Sequence, residues 1–300
     1  MEWGYRMMHP ELSPFHSHVE SSIMKHLPRY MAMAAVLALP ASLSAQSFNS
    51  GPLAGSTCTG NCGTIGANGN IGLSGNVGST AHGWVSTASG VSAAANNVGF
   101  GLGGETNGSK LAYNFNVANN NTSLSFKFQY ITSDGTSSFI EYGYVKLTDI
   151  VNSNSIILFH ARTTPTGNIV PGFGLPAINA TIVPSSTPVI ANQTTWSPLG
   201  GSSGACYQGA NNGCGRTDWI TAQYTVAAAG NYQLEFGVIN WGDTAYDSGL
   251  AFDFALGQGG VPIVDDDPTT VPEPVSASLL LLGLTGLGAT ARRRRAVRGS

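Results

Sequence analysis

Charge is scarce in this chain: only 10% of its 300 residues are Asp, Glu, Lys or Arg. Cations are scarcer still over most of its length. Between Gln46 and Thr270 there are twelve acidic residues and five basic ones, Lys110, Lys127, Lys146, Arg162 and Arg216, a balance of −7 where the whole chain has −3. Phosphate binding needs a basic face, so this balance excludes nucleic acid as a partner. Histidine is also thin in that segment, with only His82 and His160. His160 sits in an apolar run, where a structural role is the expected one. His-Glu-x-x-His does not occur. The glycine-rich stretch from Gly99 to Gly108 lacks the Lys-Ser/Thr of a phosphate loop. Glycoside hydrolysis needs two carboxylates about 5 to 10 Å apart, for which the glutamates Glu105, Glu141 and Glu235 are candidates. Spacing alone does not bring them together.

What is present instead is Gly, Ser, Asn and Thr, which suit an extracellular β protein with a hydroxyl- and amide-rich surface. Four cysteines fit an oxidising compartment. Three pairings are possible, and the short separations favour Cys58 with Cys62 and Cys206 with Cys214. Zinc is the competing reading, but no histidine lies near either pair.

From His82 onward apolar residues recur with a period of two, the mark of strands with one buried face. Leu111, Tyr113, Phe115 and Val117 alternate with polar residues. After a turn at Asn119–Asn121, so do Leu124, Phe126, Phe128 and Tyr130. Asp134-Gly135 marks another turn, followed by strands over Phe139–Leu147 and Ile156–Phe159. Prolines 165, 171, 176, 184, 188 and 198 allow at most edge strands between Thr163 and Pro198. Strands resume over Trp219–Val226, Tyr232–Trp241 and Leu250–Leu256. No helical period appears. This pattern predicts an all-β fold, a β-sandwich with jelly-roll topology, a lipocalin-like barrel being the alternative. The sandwich is expected over residues 82–258. The Gly/Asn/Ser-rich segment 46–81 is read as a loop, an irregular edge or disorder, and 259–270 as a linker.

Both ends read as processing signals. Residues 1–45 form a signal region whose functional start is read as Met24: Lys25, His26 and Arg29 are basic, Met31–Leu39 is apolar, and Ser42-Leu43-Ser44-Ala45 is the cleavage site. At the other end, Val271-Pro272-Glu273-Pro274 precedes 17 uncharged residues, Val275 to Ala291, and then Arg292-Arg293-Arg294-Arg295. Seventeen apolar or small residues just suffice to cross a bilayer as a helix, and the arginines hold that end in the cytoplasm. An ordinary tail anchor is the alternative. In its order of parts, segment 271–298 resembles the PEP-CTERM sorting signal of Gram-negative bacteria. The resemblance implies recognition by an exosortase, transient anchoring in the inner membrane, removal of the tail, and delivery to the cell surface or extracellular matrix.

A second likeness lies within the strands. The segment Asn240-Trp241-Gly242-Asp243 with Asp247-Ser248-Gly249-Leu250-Ala251-Phe252-Asp253, together with Glu141-Tyr-Gly-Tyr-Val-Lys-Leu, resembles the jelly-roll ectodomains common among PEP-CTERM proteins. Many of those carry Asn-Asp where this chain has Tyr142-Gly143. Asp243, Asp247 and Asp253 fall within eleven residues and repel one another unless something offsets them. A structural calcium is one answer, with Glu105 completing its shell. Turn capping by Asp-Ser-Gly is the other.

Three functions follow. The first is a non-enzymatic surface or matrix protein associated with exopolysaccharide or biofilm. The second is a strict carbohydrate-binding module, with a sugar platform drawn from Trp84, Trp196, Tyr207, Trp219 and Trp241. The third is a secreted glycoside hydrolase.

Overall fold

A computed structural model describes Phe48 and residues 53–164, 167–209 and 213–265. The signal region and the sorting tail lie outside the described residues. In chain order the strands are β1 (Ser56–Thr59), β2 (Asn61–Ile65), β3 (His82–Ser86) and β4 (Val91–Ser92), followed by the short helix α1 (Ala93–Asn96). Next come β5 (Glu105–Val117), β6 (Thr122–Thr132), β7 (Tyr142–Asp149) and β8 (Asn154–Arg162). Among its described residues, the proline-rich stretch contributes only β9 (Thr181–Val183) and β10 (Ile190–Ala191). The chain continues with β11 (Gly215–Arg216), β12 (Ile220–Val226), β13 (Gly230–Trp241), β14 (Ser248–Asp253), β15 (Ala255–Leu256) and β16 (Pro262–Ile263).

These strands form two large antiparallel sheets. The first has the order β1-β5-β13-β7-β8, with β4 also on β5; the second runs β10-β11-β6-β14-β3-β2, with β12 joining β6 to β9. Turn chemistry marks both the crossing from β5 in the first sheet to β6 in the second and the β7–β8 hairpin. Asn121 takes a left-handed conformation (φ 58°) between β5 and β6, and Asp149 accepts the Val151 and Asn152 amides between β7 and β8. Strand β3 lies beside β14, so an early strand and a late one close the second sheet together.

The inward faces carry the period-two residues. Phe126 and Phe128 of β6, Phe159 of β8, Phe236 of β13 and Phe252 of β14 are fully buried. Phe128 stacks on Phe159 across the two sheets, with ring centroids 3.5 Å apart. Burying each such ring contributes roughly 1.5–3 kcal/mol. Gly83 leaves room for the Phe252 ring, because a Cβ there would sit 2.4 Å from it.

The sandwich is larger than residues 82–258. The Gly/Asn/Ser-rich segment supplies the edge strands β1 and β2 and the buried Phe48 and Ile71, and β16 extends past the expected linker boundary. Isolated apolar residues in a polar segment suffice when the rest of the core is already in place. Among the described residues, no helix is long and apolar enough to cross a membrane.

Candidate binding site on the first sheet

The outward face of the first sheet is not a simple solvated surface. On β7 the alternation Tyr142, Tyr144, Lys146 sends three long polar-tipped side chains outward, while Val145 and Leu147 turn into the core. Tyr144 lies across Gly237, where a Cβ would come within 2.3 Å of its ring. Its hydroxyl thereby reaches the neighbouring Glu235 on β13 and donates to Oε1 at 2.9 Å. Glu235 is buried, and two cations neutralise it: Lys146 Nζ at 2.9 Å and Lys110 Nζ at 3.3 Å. Burial and the Glu235 charge together raise the Tyr144 pKa well above the ordinary tyrosine value.

Over this row lies the loop between α1 and β5. Glu105 fastens it, accepting the Phe100 amide on Oε1 and the Gly101 amide on Oε2, both at 3.0 Å. Tyr142 donates its hydroxyl to the same carboxylate. Phe100 then stacks on Tyr142, with centroids 5.1 Å apart, and meets Tyr144 at 4.9 Å. Beside the fastened loop is a pocket of about 440 Å³ that Glu105, Lys146, Asn97 and the Phe100 ring help to line. Glu105 and Glu235 therefore share one face of one sheet, each bonded to one of two neighbouring tyrosines.

Arg162 completes the face at its β8 edge. Its guanidinium lies 4.6 Å over the Trp241 ring and donates from Nε to the Ile140 carbonyl at 3.0 Å. Trp241 is thus a partner for a cation of its own chain. Tyr142, Tyr144, Lys110, Lys146 and Arg162 were not singled out in the sequence. The signal was there in the alternation of Tyr142, Tyr144 and Lys146, which fixes a common face without revealing what covers it.

The third glutamate is elsewhere. Glu141, at the mouth of β7, is wholly buried and accepts the hydroxyls of Ser248 and Thr132 on Oε2, the latter at 3.1 Å. Burial drives its carboxyl well above the ordinary value, helped by the charge of Asp134. Asp134 is itself pushed up to about 6 by burial.

The late aspartates have separate partners. Asp243 Oδ1 accepts the Ala245 amide at 2.9 Å. Asp247 takes hydroxyls from Thr87 at 3.1 Å and Ser202 at 2.8 Å. Asp253, on the outward face of the second sheet, takes those of Ser74 and Ser79, the latter at 2.9 Å, and burial raises its pKa to about 6. Glu105 is engaged with the loop on the first sheet. Among the described residues, no three His, Cys, Asp or Glu side chains gather as a metal site.

The aromatic set also divides. Trp84, Trp196 and Trp219 meet on the outward face of the second sheet, around Ile71 and Ala251. They do not form a plane: Trp196 is fully buried and meets Trp84 edge-on at 78°. His82 lies in the same cluster, 5.7 Å from Trp219. Tyr207 packs instead with Phe139 and Tyr246. Both cysteine pairs are bonded as the short separations favour, with Cα–Cα distances of 5.9 Å for Cys58–Cys62 and 5.7 Å for Cys206–Cys214.

No protein-family model matches the chain, and no curated protein matches it. Among solved structures, the crystal structure of Agl-KA catalytic domain is similar over 74% of this chain, at 7% identity and a TM-score of 0.27. The match covers 28% of that chain, and a TM-score this low carries no argument about activity.

Proposed function

We propose that the protein is an exported, non-enzymatic surface or matrix protein, delivered by exosortase processing of its tail and associated with extracellular polysaccharide. The observation that carries the non-enzymatic reading is the fate of the three glutamates. Glu235 is neutralised by Lys110 and Lys146, Glu105 fastens a loop through two amides, and Glu141 is buried among hydroxyls. Each is committed to a structural partner, whereas hydrolysis asks for an acid and a base opposed across the scissile bond. The two closed disulfides support export, since such bonds persist in oxidising compartments. The strand order, with β3-β14-β6-β12 in one sheet and β5-β13-β7-β8 in the other, supports the jelly-roll reading of the sandwich.

The test is made in an exosortase-bearing Gram-negative host. Replacing Pro272-Glu273-Pro274 by three alanines should trap the full-length chain in the inner membrane. Mass spectrometry of the released wild type should yield no peptide from beyond Leu279. An intact tail on released protein would refute the sorting reading. Release of reducing ends from a polysaccharide, lost in Glu105→Gln, would replace the non-enzymatic reading by a hydrolytic one.

A further inference from the structure

We propose that the pocket beside Phe100 on the first sheet binds an acidic sugar, with its carboxylate at Lys146 and its ring against the loop. This rests on the polysaccharide reading and names the class of sugar. The first observation is the distribution of charge. The segment between Gln46 and Thr270 has a balance of −7 and only five cations. Three of them, Lys110, Lys146 and Arg162, stand on the outward face of the first sheet, where register sets them on β5, β7 and β8. The acids among them are Glu105 and Glu235. That face therefore carries one net positive charge on an acidic protein, and the pocket wall itself holds one cation, Lys146, and one acid, Glu105.

The second observation is what remains unspent. Lys146 uses one contact, at 2.9 Å, on Glu235 and keeps its side chain 23% exposed at the pocket wall. An ammonium has three donors, so two remain for a ligand. Glu235 fixes the position of that ammonium in advance, which lowers the cost of ordering it on binding. Asn97 also lines the pocket wall, and Gly101 leaves open space where a side chain would stand. Glu105 Oε2 accepts only the Gly101 amide at 3.0 Å, leaving capacity for a sugar hydroxyl. The volume of about 440 Å³ falls within the range of small-ligand pockets. One acidic sugar ring satisfies these groups together: carboxylate on the cation, hydroxyls on amide and carboxylate, and C–H face toward the loop.

The released protein is titrated with a trimer of galacturonate and with the same trimer methyl-esterified, a pair differing only at the carboxyl groups, charged in one and neutral in the other. Chemical shifts of the lining residues report the site. The acid form should bind about tenfold tighter than the ester, the effect of one charge-assisted hydrogen bond, and added salt should narrow the gap. Lys146→Gln should erase the preference, and Lys146→Arg should keep it. Arg216→Gln, at the edge of the second sheet, should leave it unchanged. Melting curves check that each variant is folded. Equal affinity for acid and ester, shifts confined to the tryptophans of the second sheet, or binding of neither trimer would overturn the proposal. None of these results touches the sorting reading, which is judged by the tail peptides.

Discussion

Phe236 of the first sheet stacks on Phe252 of the second, with ring centroids 4.0 Å apart and planes 11° from parallel. Both rings are fully buried, and Phe252 also packs against Gly83 and Phe48. Phe252→Ala should therefore cost about 3–5 kcal/mol, the sum of lost transfer energy and the cavity left behind. Chemical denaturation checks this. A loss below about 1 kcal/mol would mean that the two sheets do not depend on this contact.

The buried carboxyls should make the protein less stable as pH rises. Asp134 and Asp253 are raised by burial from 3.8 to about 6, and Glu141 is raised well above its usual 4.5. The folded chain holds these protons where the unfolded chain has released them. Their contribution is full below the unfolded values and is lost as pH climbs through about 6 and beyond. Glu141 faces Asp134, Asp243 and the Tyr130 hydroxyl network, so its ionisation adds repulsion to desolvation. Glu141→Gln should flatten the decline measured by denaturant midpoints from about pH 4 to about pH 8. An unchanged slope would show that Glu141 ionises without cost.

His82 works in the opposite direction. It is buried among Trp196 and Trp219, and burial lowers its pKa from 6.5 to about 4. The unfolded chain takes up a proton that the folded chain refuses. The stability due to His82 is complete above 6.5 and is lost as pH falls through about 4. Its ring signals in an NMR titration should remain those of neutral imidazole at pH values where a free histidine is charged. Titration near 6.5 would place the ring in contact with water.

Calcium should not shift the melting temperature. Asp247 and Asp253 are served by Thr87, Ser202, Ser74 and Ser79, and Glu105 by loop amides. A cation that binds only the folded state raises stability by mass action. Melting curves in millimolar calcium and in chelator should therefore coincide, and a higher curve in calcium that Asp247→Ala removes would establish a site.

Short-range patterns were legible without coordinates because they obey local rules. The period of two in Leu111–Val117 and Leu124–Tyr130 marks which side chains face inward, whatever the partner strand. The prolines of 163–198 forbid ladder donors, and among the described residues there only the three-residue β9 and two-residue β10 form. Two cysteines four residues apart are already close enough to bond, as Cys58 and Cys62 do. The pairing of strands is different, because it is decided by packing of residues far apart in the chain. That is how Glu235 comes to lie between Lys110 and Lys146, and how Ser74 and Ser79 reach Asp253 over more than 170 residues. Identity of side chain could suggest that the aspartates near the end of the fold must be offset. Only the tertiary structure decided that Asp253 would be served by hydroxyls of the glycine-rich segment, Asp247 by Thr87 and Ser202, and Asp243 by the Ala245 amide, since burial leaves a carboxyl to whichever donors the fold brings within reach.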